Sequence, residues 1–301
     1  ENSGVMHACG HDAHTSINLY VARILSEQRD FPGRIKFIFQ PAEEKLPGGA
    51  KQLIESGVLE NPKPDLILGQ HVYPDLPAGT IGIKSGAYMA SSDEIFLTVS
   101  GKGGHGALPD KLNDTVLAAS QIICTLHQNI NRYKPANIPT VISLGKVIAN
   151  GATNVIPDKV SIDGTFRTMN EEWRAQAHQL IKRTAESIAA SHGAECSVNI
   201  KKGYPVLKND ENITNKISEF SREFLGKKNI RDLEIRMTAE DFSYYTHKIQ
   251  GAFIRLGTSN PDKGMDSPLH SSAFNINEEA LKTGMANMAW LAISFSKHTE
   301  T

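Results

Sequence analysis

Along the first third of the chain the apolar positions alternate between two periods. From Ala13 to Gln28, Ile17, Tyr20, Val21, Ile24 and Leu25 recur at the spacing of one helix face, which predicts a helix. "RIKFIFQPAEE" reads as a short strand rich in Ile and Phe, stopped by Pro41 and followed at once by Glu43 and Glu44. "GGAKQLIESG" reads as a helix closed by Gly57, and "PDLILGQHV" as a buried strand with His71 at its C-terminal end. Strand, helix and strand in alternation predict an α/β layer on a mostly parallel sheet.

Past "PAGTIGIKSG" the pattern changes. Glu94 to Ser100 alternates as a strand, and Leu112, Val116, Ala119, Ile123, Leu126 and Ile130 then step as a helix. "TVISLGKVIAN" and "KVSIDGTFRT" read as two strands around a turn at Gly151. Trp173 to Ile188 marks a second helix ending at Gly193, and "CSVNIKKG" a last strand. The order β-α-β-β-α-β over residues 90–203 predicts a ferredoxin-like α+β domain. It is inserted into a discontinuous α/β domain formed by residues 1–89 and 204–301. In the second part of that domain "GAFIRLGT" is a strand. Asn277 caps a final helix whose Leu281, Met285, Met288, Leu291 and Phe295 face inward.

Composition narrows the function classes. With 301 residues, 40% hydrophobic and 22% charged, the chain can bury a core as two domains. Its 32 basic and 33 acidic residues leave a net charge of −1, which gives no footprint for nucleic acid or an anionic membrane surface. No apolar run approaches the ~20 residues that cross a bilayer. Cys9, Cys124 and Cys196 are odd in number and far apart, which points away from a disulfide framework and toward a cytoplasmic setting.

The candidate chemistry is concentrated near the start. "ENSGVMHACGHDAHT" holds His7, Cys9, His11 and His14 within eight residues. Cys9 and His11, two apart in a short turn before a helix, can point at one centre, and thiolate and imidazole are good donors for zinc and its first-row neighbours. Paired Cys-x-x-Cys ligands are missing, so a catalytic centre with an open position fits better than a structural one. His7 and His14 are expected to be supporting or surface residues. Glu43 and Glu44 can divide labour, one ligating a cation and the other acting as a base. They and His71 are expected at the carboxyl ends of neighbouring strands, where ligands bind in α/β sheets.

"GVMHACGHDAHT", "QPAEE" with "GGA" after it, "GQHV" and "LHSSAF" together resemble the M20 family of metallopeptidases. More closely they are similar to its amidohydrolase branch, which includes N-acyl-amino-acid, hippurate and indole-acetyl-amino-acid hydrolases. The resemblance implies a two-metal site with Cys9, His11, Glu44, His71 and His270 as ligands, Cys9 bridging, and Glu43 as general base. Two divalent ions are implied, zinc or manganese, with nickel and cobalt as further candidates. Their +4 charge is met by −2 from the Cys9 thiolate and the Glu44 carboxylate, since a metal-bound thiol is deprotonated.

The inserted domain carries "GKGGHG" from Gly101 to Gly106, a match to G-x-G-x-x-G between a strand and a helix. A dinucleotide fingerprint also wants an acid about twenty residues on, and residues 115–157 contain no Asp or Glu. Pro109 fits a helix start instead. The resemblance implies that His105, in this loop, reaches across a homodimer interface to stabilise a tetrahedral intermediate. The family pattern departs at Asp110 and Thr115, but not at His105. "GATNVIPDKVSIDGTFRT" resembles the family's substrate-binding stretch, with Asn154 and Arg167 matching. A planar Arg fork suits the carboxylate of an acyl amino acid. Glu240 and Asp241 in "TAEDFSYY" fall in another family segment, without an assigned role.

The expected function is metal-dependent hydrolysis of the amide bond of small N-acyl amino acids by a homodimer formed through the inserted domain. A dipeptidase or carboxypeptidase with the same site is the nearest rival, and a non-catalytic metal-binding dimer a more distant one. Family members carry a segment before "HACGHD" that includes a sheet strand with an Asp near the metals, so either this sequence is a piece of a longer protein or the chain has lost part of its sheet and with it activity. Without that strand, unpaired backbone and apolar surface are expected to be exposed.

Overall fold

The structure, a computed structural model, describes residues 4–28 and 30–298. The outermost residues of the expected discontinuous domain, 1–3 and 299–301, lie outside the described residues, as does residue 29. The chain divides into two compact units. Of the described residues, unit 1 comprises those within 1–88, 208–235 and 242–301, and unit 2 comprises residues 89–207 and 236–241.

In chain order, unit 1 begins with α1 (His11–Glu27), α2 (Gly49–Glu55), β1 (Ile67–Pro77) and β2 (Ile81–Ile83). After β3 (Gly86–Met89), unit 2 holds β4 (Asp93–Ser100), β5 (Gly104–His105), α3 (Thr115–Tyr133), β6 (Thr140–Ala149) and β7 (Val155–Ile156). It continues with β8 (Lys159–Thr168), α4 (Glu171–Ser191) and β9 (Glu195–Lys202). Following β10 (Leu207–Asn209), the chain forms α5 (Glu211–Leu225), β11 (Ile230–Asp232), α6 (Ser243–Thr246), β12 (Gly251–Ser259) and α7 (Glu279–His298).

The sheet of unit 1 has the order β1-β12-β2-β11, with β1–β12 and β2–β11 parallel and β12–β2 antiparallel. β12 is buried along its whole length, as a central strand covered on both faces must be. Helices supply the cover. Ile17, Val21 and Leu25 of α1, Ile213, Ile217 and Phe220 of α5, and Leu291 and Phe295 of α7 form one core with Ile81, Ile254 and Leu256. The predicted helix faces of α1 and α7 therefore do meet the sheet, except at Tyr20, which is 49% exposed. At ~25 cal/mol per Å² of apolar surface, such burial is the main force holding the layers together.

Unit 2 is a four-stranded antiparallel sheet, order β6-β8-β4-β9, with α3 and α4 on it. This is the ferredoxin-like order. β4 alternates as its sequence predicts, placing Ile95, Leu97 and Val99 against Ile122, Leu126, Ile130 and Ile181. Residues 236–241 join this unit because the Ala90 N–H shares the Arg236 and Thr238 carbonyls.

Three local expectations need correction. Residues 34–40 form no strand. A strand requires a ladder partner, and this segment has none among the described residues. It is held instead by Ile35 and Phe37 packing on the unit 1 core, by Asn18 Nδ2 donating to the Ile38 carbonyl, and by Lys36 Nζ donating to the Val58 and Pro62 carbonyls. β1 runs on to Pro77, so His71 lies inside the strand rather than at its end. Pro109 opens a single 3-10 turn, Pro109–Lys111, while α3 starts at Thr115 under an Asp114 cap that accepts the Leu117 N–H at 2.8 Å.

Candidate metal centre

Four segments of unit 1 converge on one cleft. The first is the turn into α1. Gly10, with φ of 74°, precedes His11, and a Cβ there would come within 2.6 Å of a Val72 methyl group. Only glycine fits this approach, and it brings Cys9 beside the middle of β1. Cys9 Sγ lies 3.4 Å from His71 Nε2.

The second segment carries the acid pair. Glu43 and Glu44 do not follow a strand end, contrary to the expectation above; they occupy a turn entered through Ala42 at φ 54°. The turn is anchored by Gln40, whose Oε1 accepts from Tyr245 Oη at 3.0 Å. His11 Nε2 stands 3.9 Å from Glu43 Oε2.

β1 is the third segment and the loop before α7 the fourth. That loop presents His270 at φ 63°, with its N–H donating to the Ala8 carbonyl at 2.7 Å. His270 Nε2 is 3.3 Å from Cys9 Sγ and 3.2 Å from Glu44 Oε1. Among the described residues, Ala42 and His270 are the non-glycine residues with positive φ. Left-handed backbone costs an ordinary residue about 1–2 kcal/mol, and here it is found on both sides of the cleft where donors converge.

These side chains fall into overlapping donor groups. Cys9, His11 and His71 offer atoms within 4.8 Å of one another, as do Cys9, Glu44 and His270, and also His11, Glu43 and Glu44. Cys9 is shared by the first two groups. Two ligands on one tetrahedral zinc, at bond lengths of ~2.3 Å to sulfur and ~2.0 Å to nitrogen, sit roughly 3.5 Å apart. The S···N separations of 3.4 and 3.3 Å match that spacing. The donor set therefore fits two divalent ions flanking one thiolate.

Electrostatics favour neutral imidazoles here. Burial pushes His71 well below the ordinary histidine value, helped by His14 and Arg255. His14 is brought down to about 3 by burial, with His11 and Arg255 adding to the effect. His11 is lowered by burial against the opposing pull of Glu44. A neutral imidazole keeps the lone pair that a metal needs. The cleft, of about 360 Å³, is also lined by Met6 and His7.

Arg255 is the residue that sequence reasoning passed over, and His14 takes the supporting one of the two places expected for it. His14 is half-buried: its ring is edge-on to His71, centroids 4.4 Å apart, and its Nε2 accepts the Val72 N–H at 2.9 Å. The i, i+3 spacing from His11 on one helix was the available signal. Arg255, opposite His71 in the β1–β12 register, is 3% exposed and donates from Nε to Tyr88 Oη at 3.0 Å. A lone charge in an apolar strand was its signal.

The remaining candidates belong to unit 2. His105 is exposed on β5, its Nδ1 accepting the Ala107 N–H at 3.1 Å, so the neutral ring carries its proton on Nε2. Asn154 is brought next to it, because the Gly106 N–H donates to the Asn154 carbonyl at 2.9 Å and His105 pairs with Val155. Arg167 sits on β8, half-buried, with Nε donating to Thr165 Oγ1 at 3.1 Å. Glu240 and Asp241 are buried, at 6% and 1% exposure.

A cleft of thiolate, imidazole and carboxylate donors on a mostly parallel sheet, with an inserted ferredoxin-like unit, defines a metal-binding hydrolase. The comparisons with known proteins narrow this. The chain matches peptidase family M20/M25/M40 over residues 1–293 and belongs to that family. It is 38% identical over 291 residues to an N-acetylcysteine deacetylase of Bacillus subtilis, covering 96% of this chain and 74% of that one. It is 36% identical over 296 residues to thermostable carboxypeptidase 2 of Saccharolobus solfataricus, covering 97% and 74%. Its fold superposes on a Bacillus subtilis structure described as a dinuclear metal-binding M20 peptidase, the YXEP protein. There the TM-score is 0.81 with 34% identity, covering 99% of this chain and 75% of that one. The chain is accordingly an M20 metallopeptidase-type amidohydrolase.

Proposed function

We propose that this protein hydrolyses the amide bond of small N-acyl amino acids at a centre of two divalent ions held by Cys9, His11, Glu44, His71 and His270. The observation that carries the reading is the sharing of Cys9 Sγ between two groups of donors. Bound there, zinc or manganese, or nickel or cobalt, supplies Lewis acidity toward the scissile carbonyl and lowers the pKa of an attacking water. Glu43, half-buried beside His11, takes the proton of that water and returns it to the departing amine. His105, with its proton on Nε2, is a donor suited to a developing oxyanion. Asn154 and Arg167 bind the substrate, the guanidinium recognising its carboxylate.

The protein acts as a homodimer joined through unit 2, in a cytoplasmic setting that keeps Cys9 out of disulfides and able to ligate. Assaying metal-reconstituted protein on a panel of acetyl- and benzoyl-amino acids, with a chelator control, tests the reading. Turnover that depends on metal is expected, and metal-independent or absent turnover overturns it. The likeness to a carboxypeptidase supports a second reading, peptide hydrolysis at the same centre. Faster turnover of dipeptides than of acyl amino acids would favour it.

A further inference from the structure

His14 touches the metal centre without offering a ligand to it. It stands one turn after His11 on α1, at 5.5 Å centroid distance from the His11 ring and 4.4 Å from the His71 ring. It belongs to none of the donor groups that converge there. What it holds instead is backbone. β1 is the edge strand of its sheet among the described residues, and in a strand the N–H and C=O of one residue point to the same side. For Val72 both point away from β12. Among the described residues side chains, not a strand, meet them. The N–H is taken by His14 Nε2 at 2.9 Å, and the carbonyl by His71 Nδ1 at 2.7 Å.

Each of these bonds fixes a tautomer. By donating from Nδ1 to the Val72 carbonyl, His71 leaves its Nε2 lone pair free, and that atom faces Cys9 Sγ at 3.4 Å. By accepting at Nε2, neutral His14 carries its own proton on Nδ1. The strand edge at Val72 thus links the two rings. Val72 is wholly buried, so its N–H has no water to fall back on.

We propose that His14 is a positioning residue: it holds the backbone of β1 at Val72, and through that peptide sets the His71 ring so that Nε2 points at the metal centre. This rests on His71 being a ligand, as argued under the proposed function. Groups that orient metal-bound histidines typically change metal affinity roughly 10- to 100-fold when lost.

The experiment uses the full chain and two substitutions. His14→Gln keeps an oxygen able to accept the Val72 N–H, whereas His14→Leu does not. Zinc affinity, measured by competition with a chromophoric chelator, is expected to fall roughly 10- to 100-fold in His14→Leu and to stay within a few-fold of wild type in His14→Gln. In the metal-free proteins, amide exchange at Val72 is expected to accelerate in His14→Leu alone. Zinc affinity unchanged in His14→Leu overturns the proposal. If His14→Leu does not fold, a tenfold or greater loss of affinity in folded His14→Gln overturns it. Failure of the ligand assignment itself looks different: wild type and His71→Ala would then bind zinc equally, while the Val72 exchange would still respond to His14.

Discussion

His270 Nε2 lies 3.3 Å from Cys9 Sγ although 261 residues separate them in sequence. Cys9 is in turn 3.4 Å from His71, so one sulfur joins the donors of β1 to those of the loop before α7. A shared ligand makes the two ion positions depend on one side chain. Cys9→Ser is expected to lower the metal content at both positions together, by elemental analysis of dialysed protein. Retention of one full equivalent would show that the thiol serves a single ion.

Glu43 gives a prediction of the opposite kind. Its carboxylate lies in a donor group with His11 and Glu44, but it is the member assigned to proton transfer. Glu43→Gln is expected to keep its metal and to lose turnover by about 10²- to 10⁴-fold, the range of general acid–base catalysis. Metal content and kcat measured on the same preparation check this. A large loss of metal would move Glu43 into the ligand set.

The backbone at Ala42 turns the chain so that both acids enter the cleft, at a φ of 54°. Glycine adopts this conformation freely, whereas a β-branched residue is an outlier there. Ala42→Gly is therefore expected to leave the thermal midpoint unchanged or slightly raised. Ala42→Val is expected to cost about 1–3 kcal/mol, read from denaturant unfolding. Metal affinity should fall with it if the turn positions Glu44. Equal stability of the two variants would place the strain elsewhere.

What was legible in the sequence was whatever depended on local period. The inward faces of α1 and α7, and the alternation of Ile95, Leu97 and Val99, follow from spacing alone. Residues 34–40 misled because their Ile and Phe positions are truly half-buried, while strand formation needs a ladder that lies outside the segment. Cys9 and His11 were readable as a pair through proximity. His270 was not, since its left-handed backbone and its bond to Ala8 are products of the tertiary structure, and only the resemblance pointed to it. The role of His14 was hidden for the same reason: its partner is a peptide N–H 58 residues away on β1.

Unit 2 carries a buried charge network whose acid response can be predicted with its sign. The Asp93 carboxylate, inaccessible to solvent, receives Arg174 Nη2 at 2.5 Å, Arg174 Nε at 2.9 Å, the Gly203 N–H at 3.1 Å and His178 Nε2 at 2.6 Å. Burial alone would raise this carboxyl, but the hydrogen bonds from His178 and Arg174 and the charge of Arg174 outweigh it and hold it at about 2. An unfolded aspartate titrates near 3.9. Between those values the unfolded chain binds a proton that the folded chain does not, so stability falls as pH falls. The contribution, on the order of 2 kcal/mol, is complete above about pH 4 and is lost as pH drops through about 2. Trp173, buried on α4 with its indole N–H bonded to Thr140, reports on this unit, and Trp290 lies in unit 1. In a Trp290→Phe background, acid unfolding followed by Trp173 fluorescence should steepen below pH 4. Asp93→Asn should remove that component and destabilise unit 2 by about 3–5 kcal/mol, since it leaves a buried guanidinium without its main counter-charge. An unchanged acid limb in Asp93→Asn would mean that another carboxylate governs it.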